Sequence, residues 1–323
     1  MPELYSGDTS WPGAELPRRA GLSATRPGSH GYRNGSLRRG ESGMTPALTL
    51  AHQRDRGLML RNPLIAGPGT IGYGREYGRL LPLERLAAVI TNTTTLHARP
   101  GNPQPRLAET PAGMILATGL QNPGLRTVLQ RHARLWERLP VPVILSLAAE
   151  DEQSFAQCIE LAQHTGAVAA FELEPDLLTT DVDMVGVVDA LRGISGVPLL
   201  VHLPVAPPQA LADAIVDLEA VGCDGVIVGS PWPGLVTAQA ASQQLLAGGV
   251  CGPAIRPLAL RLVHDVVQLL GTEHVPLLAA GGISSAADVA SFLAVGASAV
   301  ILDTVIYVQP AAVSAMVDAV EGC

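Results

Sequence analysis

Residues 277–304 read LLAAGGISSAADVASFLAVGASAVILDT, and this stretch contains the repeating unit of the whole chain. It begins with a short apolar run, Leu277 to Ala280, turns at a pair of glycines and continues as a helical pattern from Ser285 to Val295. A second apolar run, Ala299 to Leu302, follows the next turn. Two short apolar runs separated by a helical pattern indicate parallel strands joined by a crossover helix.

The same alternation extends back to Pro63. It predicts eight strands: Pro63 to Ala66, Ala88 to Thr91, Val143 to Leu147, Ala169 to Leu173, Leu199 to Leu203, Gly225 to Val228, Leu277 to Ala280 and Ala299 to Leu302. Helical patterns cover Leu125 to Arg138, Glu152 to Thr165, Val182 to Leu191, Pro208 to Val221, Pro257 to Leu270, Ser285 to Val295 and Pro310 to Val320. Eight strands alternating with helices predict an α/β fold, the (β/α)8 or TIM barrel. A doubly wound open sheet is the alternative, and the strand count distinguishes the two.

The composition favours a buried parallel sheet. Hydrophobic residues make up 47% of the 323 residues but aromatic residues only 3%, so the core consists of Leu, Val, Ile and Ala. All 21 basic residues are arginine, which excludes a Schiff-base lysine and a P-loop lysine. A base composition that favours arginine codons is the simplest explanation of the missing lysines.

Several further classes of protein are disfavoured. The net charge of −8 and the lack of a basic stripe argue against nucleic-acid binding. No apolar run is long enough for a membrane helix, and the N-terminus has no apolar block like that of a signal peptide. The four cysteines form no CxxC pair, which argues against a metal or redox motif. We therefore expect a cytoplasmic protein without a metal site.

Residues 1–43 differ from the rest, since they are rich in Gly, Ser, Pro and Arg and show no apolar period. This composition predicts a disordered tail. Met44 follows directly and is a candidate for the true start. We therefore predict a tail over 1–43 and a single barrel domain over 44–323; an arginine-bearing arm that docks a partner is the alternative for the tail.

In a barrel of this kind the chemistry lies just after each strand. The first strand is followed by a glycine-rich loop, 67–74, and the second by a polar run, 91–96. Gly281 and Gly282 precede a helix N-terminus, where exposed amides form a phosphate cradle. A glycine-rich loop alone is weak evidence for a ligand site.

Seven segments carry a family resemblance: Asn62-Pro63, Gly69 to Gly74, Arg99 to Pro103, Ala108 to Met114, Gly119 to Gly124, Gly252 to Ile255 and Gly281 to Ser285. In order and spacing they resemble the class 1 dihydroorotate dehydrogenases, most closely the catalytic subunit of the form that pairs with an iron–sulfur and FAD subunit. The resemblance runs from about Leu48 to the end. It implies an FMN-containing (β/α)8 barrel that oxidises dihydroorotate to orotate in pyrimidine biosynthesis. It also implies a homodimer and an electron-transfer partner.

The resemblance places FMN beside several residues of this chain. The phosphate cradle corresponds to Gly281, Gly282 and Thr304, together with Gly69, Thr70 and Gly252. A substrate loop corresponds to Gly119, Leu120, Gln121 and Asn122. The two lysines of the family correspond to Asn92 and His202, so we expect neither lysine charge to remain. Two family asparagines, one of which contacts the flavin, correspond to Leu116 and Ser146.

Other family positions differ in ways that affect catalysis and binding. The catalytic cysteine, which removes a proton from dihydroorotate, corresponds to Leu177, and leucine cannot accept a proton. A substrate-binding Asn-Thr pair corresponds to Gly229-Ser230. The glycine beside the FMN phosphate corresponds to Asp303, whose charge would repel a phosphate.

Three functions remain open. The first is an active FMN-dependent dihydroorotate dehydrogenase catalytic subunit. The second is a degenerate paralogue that has lost dihydroorotate oxidation and FMN and keeps the barrel for binding, scaffolding or regulation. The third is a repurposed enzyme that uses Glu174, His202 and Asp303, which follow the fourth, fifth and eighth predicted strands. The first two are distinguished by bound flavin.

Overall fold

The computed structural model describes residues 48–50, 57–74, 76, 80–175, 182–239 and 244–322. The strands are β1 Leu48–Leu50, β2 Leu58–Leu60, β3 Leu64–Ala66, β4 Ala88–Ile90, β5 Leu107–Thr110, β6 Gly113–Leu116, β7 Val143–Ala149, β8 Ala170–Pro175, β9 Leu199–His202, β10 Gly225–Val228, β11 Trp232–Gln239, β12 Gln244–Cys251, β13 Leu277–Ala280 and β14 Ala299–Leu302. The helices are α1 Leu125–Trp136, α2 Glu152–Gln163, α3 Met184–Leu191, α4 Pro208–Ala220, α5 Arg256–Leu270, α6 Ala286–Ala294, α7 Thr304–Val308 and α8 Pro310–Glu321. The predicted tail over 1–43 lies outside the described residues, and the domain boundary at Met44 stays a prediction.

Eight parallel strands close into a barrel in the order β10-β13-β14-β3-β4-β7-β8-β9, and β9 pairs with β10 to complete it. These are the eight strands that the sequence predicts, with ends that differ by at most two residues. Closure confirms the TIM barrel and rules out the open sheet. The carboxyl ends of all eight strands consequently meet at one mouth.

The core has two apolar layers. Between the barrel and its helices, Phe155 of α2, Phe171 of β8 and Phe292 of α6 are all fully buried. Inside the barrel, a second cluster of mainly Ile, Leu and Ala fills the axis, and Leu50 and Leu60 of the β1–β2 hairpin join it. The hairpin packs where the barrel strands begin, which leaves the opposite end of the barrel for the site.

Polar residues and prolines begin several helices. Asp151 accepts a hydrogen bond from the Ser154 amide at the start of α2, and Ser285 accepts one from the Asp288 amide at the start of α6. Pro208 and Pro310 are the first residues of their helices, as predicted. These residues satisfy or remove amides that have no partner within the helix, which fixes where each crossover begins.

One sheet was not predicted. Strands β11, β12, β6 and β5 form an antiparallel sheet in that order beside the barrel mouth. The segment after the sixth barrel strand, for which no strand was predicted, forms the β11–β12 hairpin. Gly248 within β12 lies so close to β6 that an added Cβ would be 2.3 Å from the Leu116 carbonyl oxygen. Glycine allows this contact but hides the strand from propensity-based prediction.

Candidate functional site at the barrel mouth

The alternation of side chains along the barrel strands defines the site. The interior apolar cluster includes residues from several strands, among them Ile90, Ile144, Ala170, Leu200 and Ile301. Side chains two positions apart point to the same face of a strand. Counting two residues beyond each of these, and four beyond Ala170, gives a polar set at the carboxyl ends: Asn92, Ser146, Glu172, Glu174, His202 and Asp303. We call these six residues the mouth layer.

A buried ion pair lies at the centre of the mouth layer. His202 Nδ1 is 3.0 Å from Glu172 Oε1, and His202 Nε2 is 2.8 Å from the Ser230 carbonyl oxygen. Glu172 is fully buried and the His202 side chain is 12% exposed. The Ser230 carbonyl can only accept, and an ionised Glu172 can only accept, so beside a carboxylate both ring nitrogens carry a proton. This geometry therefore favours His202 as an imidazolium paired with Glu172.

The electrostatics agree with this protonation state. Burial alone lowers the pKa of His202, but the hydrogen bond and charge of Glu172, the charge of Glu174 and the Ser230 carbonyl raise this pKa to about 9. The expectation that neither family charge remains is therefore wrong at position 202. A cation, His202, occupies the position of the second family lysine, but both of its ring N–H groups already donate hydrogen bonds within the protein.

Asp303 lies at the end of β14 with its carboxyl group over the first barrel strand. A Cβ added to Gly67 would be 2.0 Å from Asp303 Oδ1, so Gly67 is needed to accommodate this side chain. Burial raises the pKa of Asp303 to about 7, the charge of His202 lowers it, and that of Glu172 raises it. Glu174, His202 and Asp303 are thus brought to one mouth, as the sequence analysis proposed.

A hydrogen-bond relay runs along the opposite wall. The Ser146 hydroxyl donates to Thr93 Oγ1 over 3.0 Å, and the Thr93 hydroxyl donates to Glu174 Oε2 over 2.8 Å. Ser146 is fully buried, and it pairs in register with Glu172 on the neighbouring strand. Ser146 thus donates its hydroxyl hydrogen to Thr93, and Thr93 donates its own to the Glu174 carboxylate. Neither hydroxyl hydrogen is left to donate to a ligand.

Two acceptors of the mouth layer have no hydrogen-bond partner among the described residues. They are Glu172 Oε2 and Asn92 Oδ1, each with an accessible area below 1 Å². Glu172 was missed in the sequence analysis because it lies inside an apolar strand. The two-residue periodicity of the strand could have identified Glu172, because it places Glu172 on the same face as Glu174.

The glycines of the predicted phosphate cradle have structural partners. Gly281 and Gly282 have φ of 118° and 74°, values that favour glycine. A Cβ on Gly282 would be 2.8 Å from the Gly252 carbonyl oxygen and 2.7 Å from the Arg256 amide nitrogen. The guanidinium of Arg256 donates to Asp288 over 2.6 Å. Close packing of this turn on the start of α5 therefore explains the glycines without a ligand.

The other predicted cofactor residues hold loops in place. Thr70 donates from its hydroxyl to the Gly67 carbonyl oxygen over 2.6 Å, and the Tyr307 hydroxyl donates to the Gly69 carbonyl oxygen. Thr304 is buried at the start of α7. The Tyr307 contact ties the first loop to α7, the helix that begins directly after Asp303.

The predicted substrate loop is a hydrogen-bonded turn. Leu120 has a positive φ of 51°. Asn122 holds the turn, because its amide donates to Thr95 Oγ1 over 2.9 Å and to the Leu120 carbonyl oxygen over 2.8 Å. The Arg106 guanidinium donates to Gln121 Oε1 over 2.6 Å. Leu177, the position of the family base, lies outside the described residues.

We expect Asp303→Asn to change how stability depends on pH. Folded Asp303 keeps its proton up to about pH 7, whereas an unfolded aspartate loses it near pH 4, so ionisation destabilises the fold progressively above pH 4. The variant should match the parent near pH 4 and exceed it by about 2 kcal/mol at pH 8, since partial exposure reduces the full effect. Urea unfolding at both values of pH measures this difference.

The groups that face Asp303 include His202, Glu172 and Cys251; the buried thiol of Cys251 has a pKa raised to about 12 by burial and by the charge of Asp303. Asp217→Asn, which removes one exposed charge from α4, is the matched control. Equal stability of the Asp303→Asn variant and the parent at pH 8 would contradict a raised pKa of Asp303 in the folded protein.

A parallel (β/α)8 barrel with a polar mouth defines a class of enzymes and binding proteins with their sites at the strand ends. The family model that matches this chain is that of dihydroorotate dehydrogenase, over residues 51–322. The chain belongs to the dihydroorotate dehydrogenase family.

Similar proteins agree with this assignment. The chain is 37% identical over 269 residues to the catalytic subunit of dihydroorotate dehydrogenase B (NAD(+)) of Bacillus pumilus, covering 79% of this chain and 85% of that protein. It is 35% identical to the same subunit of Geobacillus kaustophilus, covering 79% and 84%. The structure of a dihydroorotate dehydrogenase of Eimeria tenella with ferulenol matches with a TM-score of 0.64 at 18% identity, over 81% of each chain. That structural match concerns the fold alone.

In the part of the chain that the structure describes, no helix is long and apolar enough to cross a membrane. Nor does that part contain a group of three or more His, Cys, Asp or Glu side chains that could hold a metal ion.

Proposed function

We propose that this chain is a dihydroorotate dehydrogenase-family barrel that does not oxidise dihydroorotate and does not hold FMN. Its mouth instead serves as a binding or regulatory site. The observation that carries the proposal is the position of Asp303, whose carboxyl group fills the space over Gly67 and faces Glu172. The absence of a proton acceptor at Leu177 supports it independently.

The residues present do not fit a flavin phosphate. Ala280 pairs with Ile301 across β13 and β14, so Gly282 and Asp303 follow at equivalent positions on neighbouring strands. A phosphate bound at the glycine turn would therefore lie close to the Asp303 carboxyl group. The cation beside the turn, Arg256, is paired with Asp288, and His202 donates to Glu172 and Ser230. In the part of the chain that the structure describes, both of these cations are thus already paired, so an ionised Asp303 would repel the dianion.

An acid–base enzyme that depends on His202 is less well supported. A general base must have a free lone pair, and a metal ligand must too. Both ring nitrogens of His202 instead face acceptors, at 3.0 Å and 2.8 Å. This imidazolium supplies fixed positive charge to Glu172 rather than a route for protons.

The second candidate is an ordinary catalytic subunit, favoured by the 37% identity to that of Bacillus pumilus. In that case FMN would supply hydride transfer chemistry when bound. An iron–sulfur and FAD electron-transfer partner, together with a homodimer, belongs to this candidate.

The absorption spectrum of the purified full chain tests the proposal. We expect no visible flavin band and no orotate formed from dihydroorotate, with either an artificial electron acceptor or NAD⁺ and an electron-transfer subunit. The catalytic subunit of Bacillus pumilus, purified in parallel, is the positive control. A yellow protein that forms orotate would overturn the proposal and establish the second candidate.

A further inference from the structure

The mouth layer has more hydrogen-bond acceptors than donors. Three carboxyl groups, from Glu172, Glu174 and Asp303, meet a single cation, His202. Both N–H groups of His202 are used, and the hydroxyls of Ser146 and Thr93 donate along the relay to Glu174. Among the described residues of the mouth layer, carboxyl groups therefore outnumber cations three to one, and the side-chain donors of His202, Ser146 and Thr93 are already in use.

Glu172 shows where in the mouth an acceptor has no donor. Its side chain is fully buried, and its position on the same strand face as Ala170 directs it toward the barrel axis. Oε1 accepts from His202, whereas Oε2 has no partner among the described residues. Buried carboxylate oxygens are almost always hydrogen-bonded, so Oε2 points to a donor that the described residues do not provide.

Asn92 Oδ1 supplies a second acceptor in the same layer. It lies just beyond β4, which pairs with β7, and Ser146 of β7 is in register with Glu172 of β8. Asn92 Oδ1 is also buried and without a partner among the described residues. Two such acceptors on one wall of the mouth suit a ligand that carries several N–H donors on one group.

We propose that the barrel mouth binds a small organic cation with at least two N–H donors, such as an amidinium, guanidinium or primary ammonium group. One N–H donates to Glu172 Oε2 and a second to Asn92 Oδ1. Glu174 and Asp303 add to the negative potential at the entrance. This inference rests on the proposed function, because a flavin at the same mouth would exclude the cation.

Calorimetric titration of the full chain with an isosteric series tests the inference. The probes are benzamidine, which is cationic, benzamide, which is neutral, and benzoate, which is anionic; benzylamine then compares ammonium with amidinium. We expect benzamidine or benzylamine to bind at least about tenfold more tightly than benzamide and benzoate, since charge-assisted hydrogen bonds are the strong ones. This comparison needs no variant and so does not depend on folding of a mutant.

Glu172→Gln then locates the site. The variant keeps the shape of the side chain but removes its charge, and it should weaken benzamidine binding by about tenfold or more. Glu109→Gln, on the exposed face of β5, is the matched control and should bind as the parent does.

Binding of benzoate as tight as that of benzamidine, no binding of either cation, or cation binding unchanged by Glu172→Gln would each overturn the inference. A colourless protein that binds neither cation contradicts only the inference. A yellow, orotate-forming protein contradicts the proposed function itself.

Discussion

Replacing Glu172 by glutamine is expected to lower the free energy of unfolding by about 3–5 kcal/mol near neutral pH, the usual cost of removing one partner of a buried ion pair. Glu172 is fully buried and is 3.0 Å from His202. Without the carboxylate, the imidazolium either stays buried without its counter-charge or loses its proton. Urea unfolding at pH 7 measures the change.

A double-mutant cycle separates the pair from general packing. His202→Gln alone should also destabilise, because it leaves Glu172 without its cation. The double variant should be more stable than the sum of the two losses predicts, by about 2 kcal/mol. Additive losses within about 0.5 kcal/mol would contradict the ion pair.

An exposed ion pair near the same end of the barrel is the control. Glu150 follows β7 and is 3.1 Å from Arg99, but its side chain is 58% exposed. Glu150→Gln should cost less than about 1 kcal/mol, since solvent screens the charges. The contrast between these carboxylates attributes the large effect to burial.

The contribution of the Glu172–His202 pair to stability depends on pH, because folding raises the pKa of His202. The pKa of His202 is raised to about 9 in the folded state, from about 6.5 when unfolded. The pair's contribution is therefore complete below about pH 6.5 and is lost as pH rises through about 9. The difference between the parent and Glu172→Gln should narrow across that interval.

Replacing Asp303 by glycine is expected to tighten FMN binding by roughly 100-fold at pH 9, where Asp303, whose pKa is raised to about 7, is ionised. Gly282 and Asp303 follow a registered pair on neighbouring strands, and such strands are about 5 Å apart. Two unit charges at that separation repel by about 3 kcal/mol at an effective dielectric of 20, which corresponds to roughly 100-fold in affinity. Glycine also removes the side chain that contacts Gly67.

Quenching of FMN fluorescence on titration with the full chain measures this affinity. Asp303→Asn separates charge from volume, because it removes the charge and keeps the size of the side chain. Asp217→Asn, on the exposed face of α4, controls for the overall charge of the chain. Unchanged affinity in Asp303→Gly would show that Asp303 is not what disfavours the flavin.

The missing lysines illustrate both the reach and the limit of sequence reasoning. The family positions at Asn92 and His202 could be compared directly, and neither holds arginine. The sequence therefore indicated that more than codon preference had changed there. It could not indicate that His202 would regain a positive charge, because that depends on Glu172, which is 30 residues away along the chain.

The barrel itself was predictable from local patterns. Each barrel strand is a short buried run, each crossover helix has an apolar face, and turns separate them, so short windows of sequence carried the information. The β11–β12 hairpin was missed because its glycines serve close packing against β6, a contact between distant segments.

The sequence alone thus determined the eight strands, the family and the positions at which family residues are replaced. Only the tertiary structure decided the protonation of His202, the placement of Asp303 over Gly67 and the unpartnered oxygen of Glu172. The physical reason is that strand patterns arise from neighbours along the chain. Charge states and hydrogen bonds in the mouth layer arise from groups that the closed barrel brings together through space.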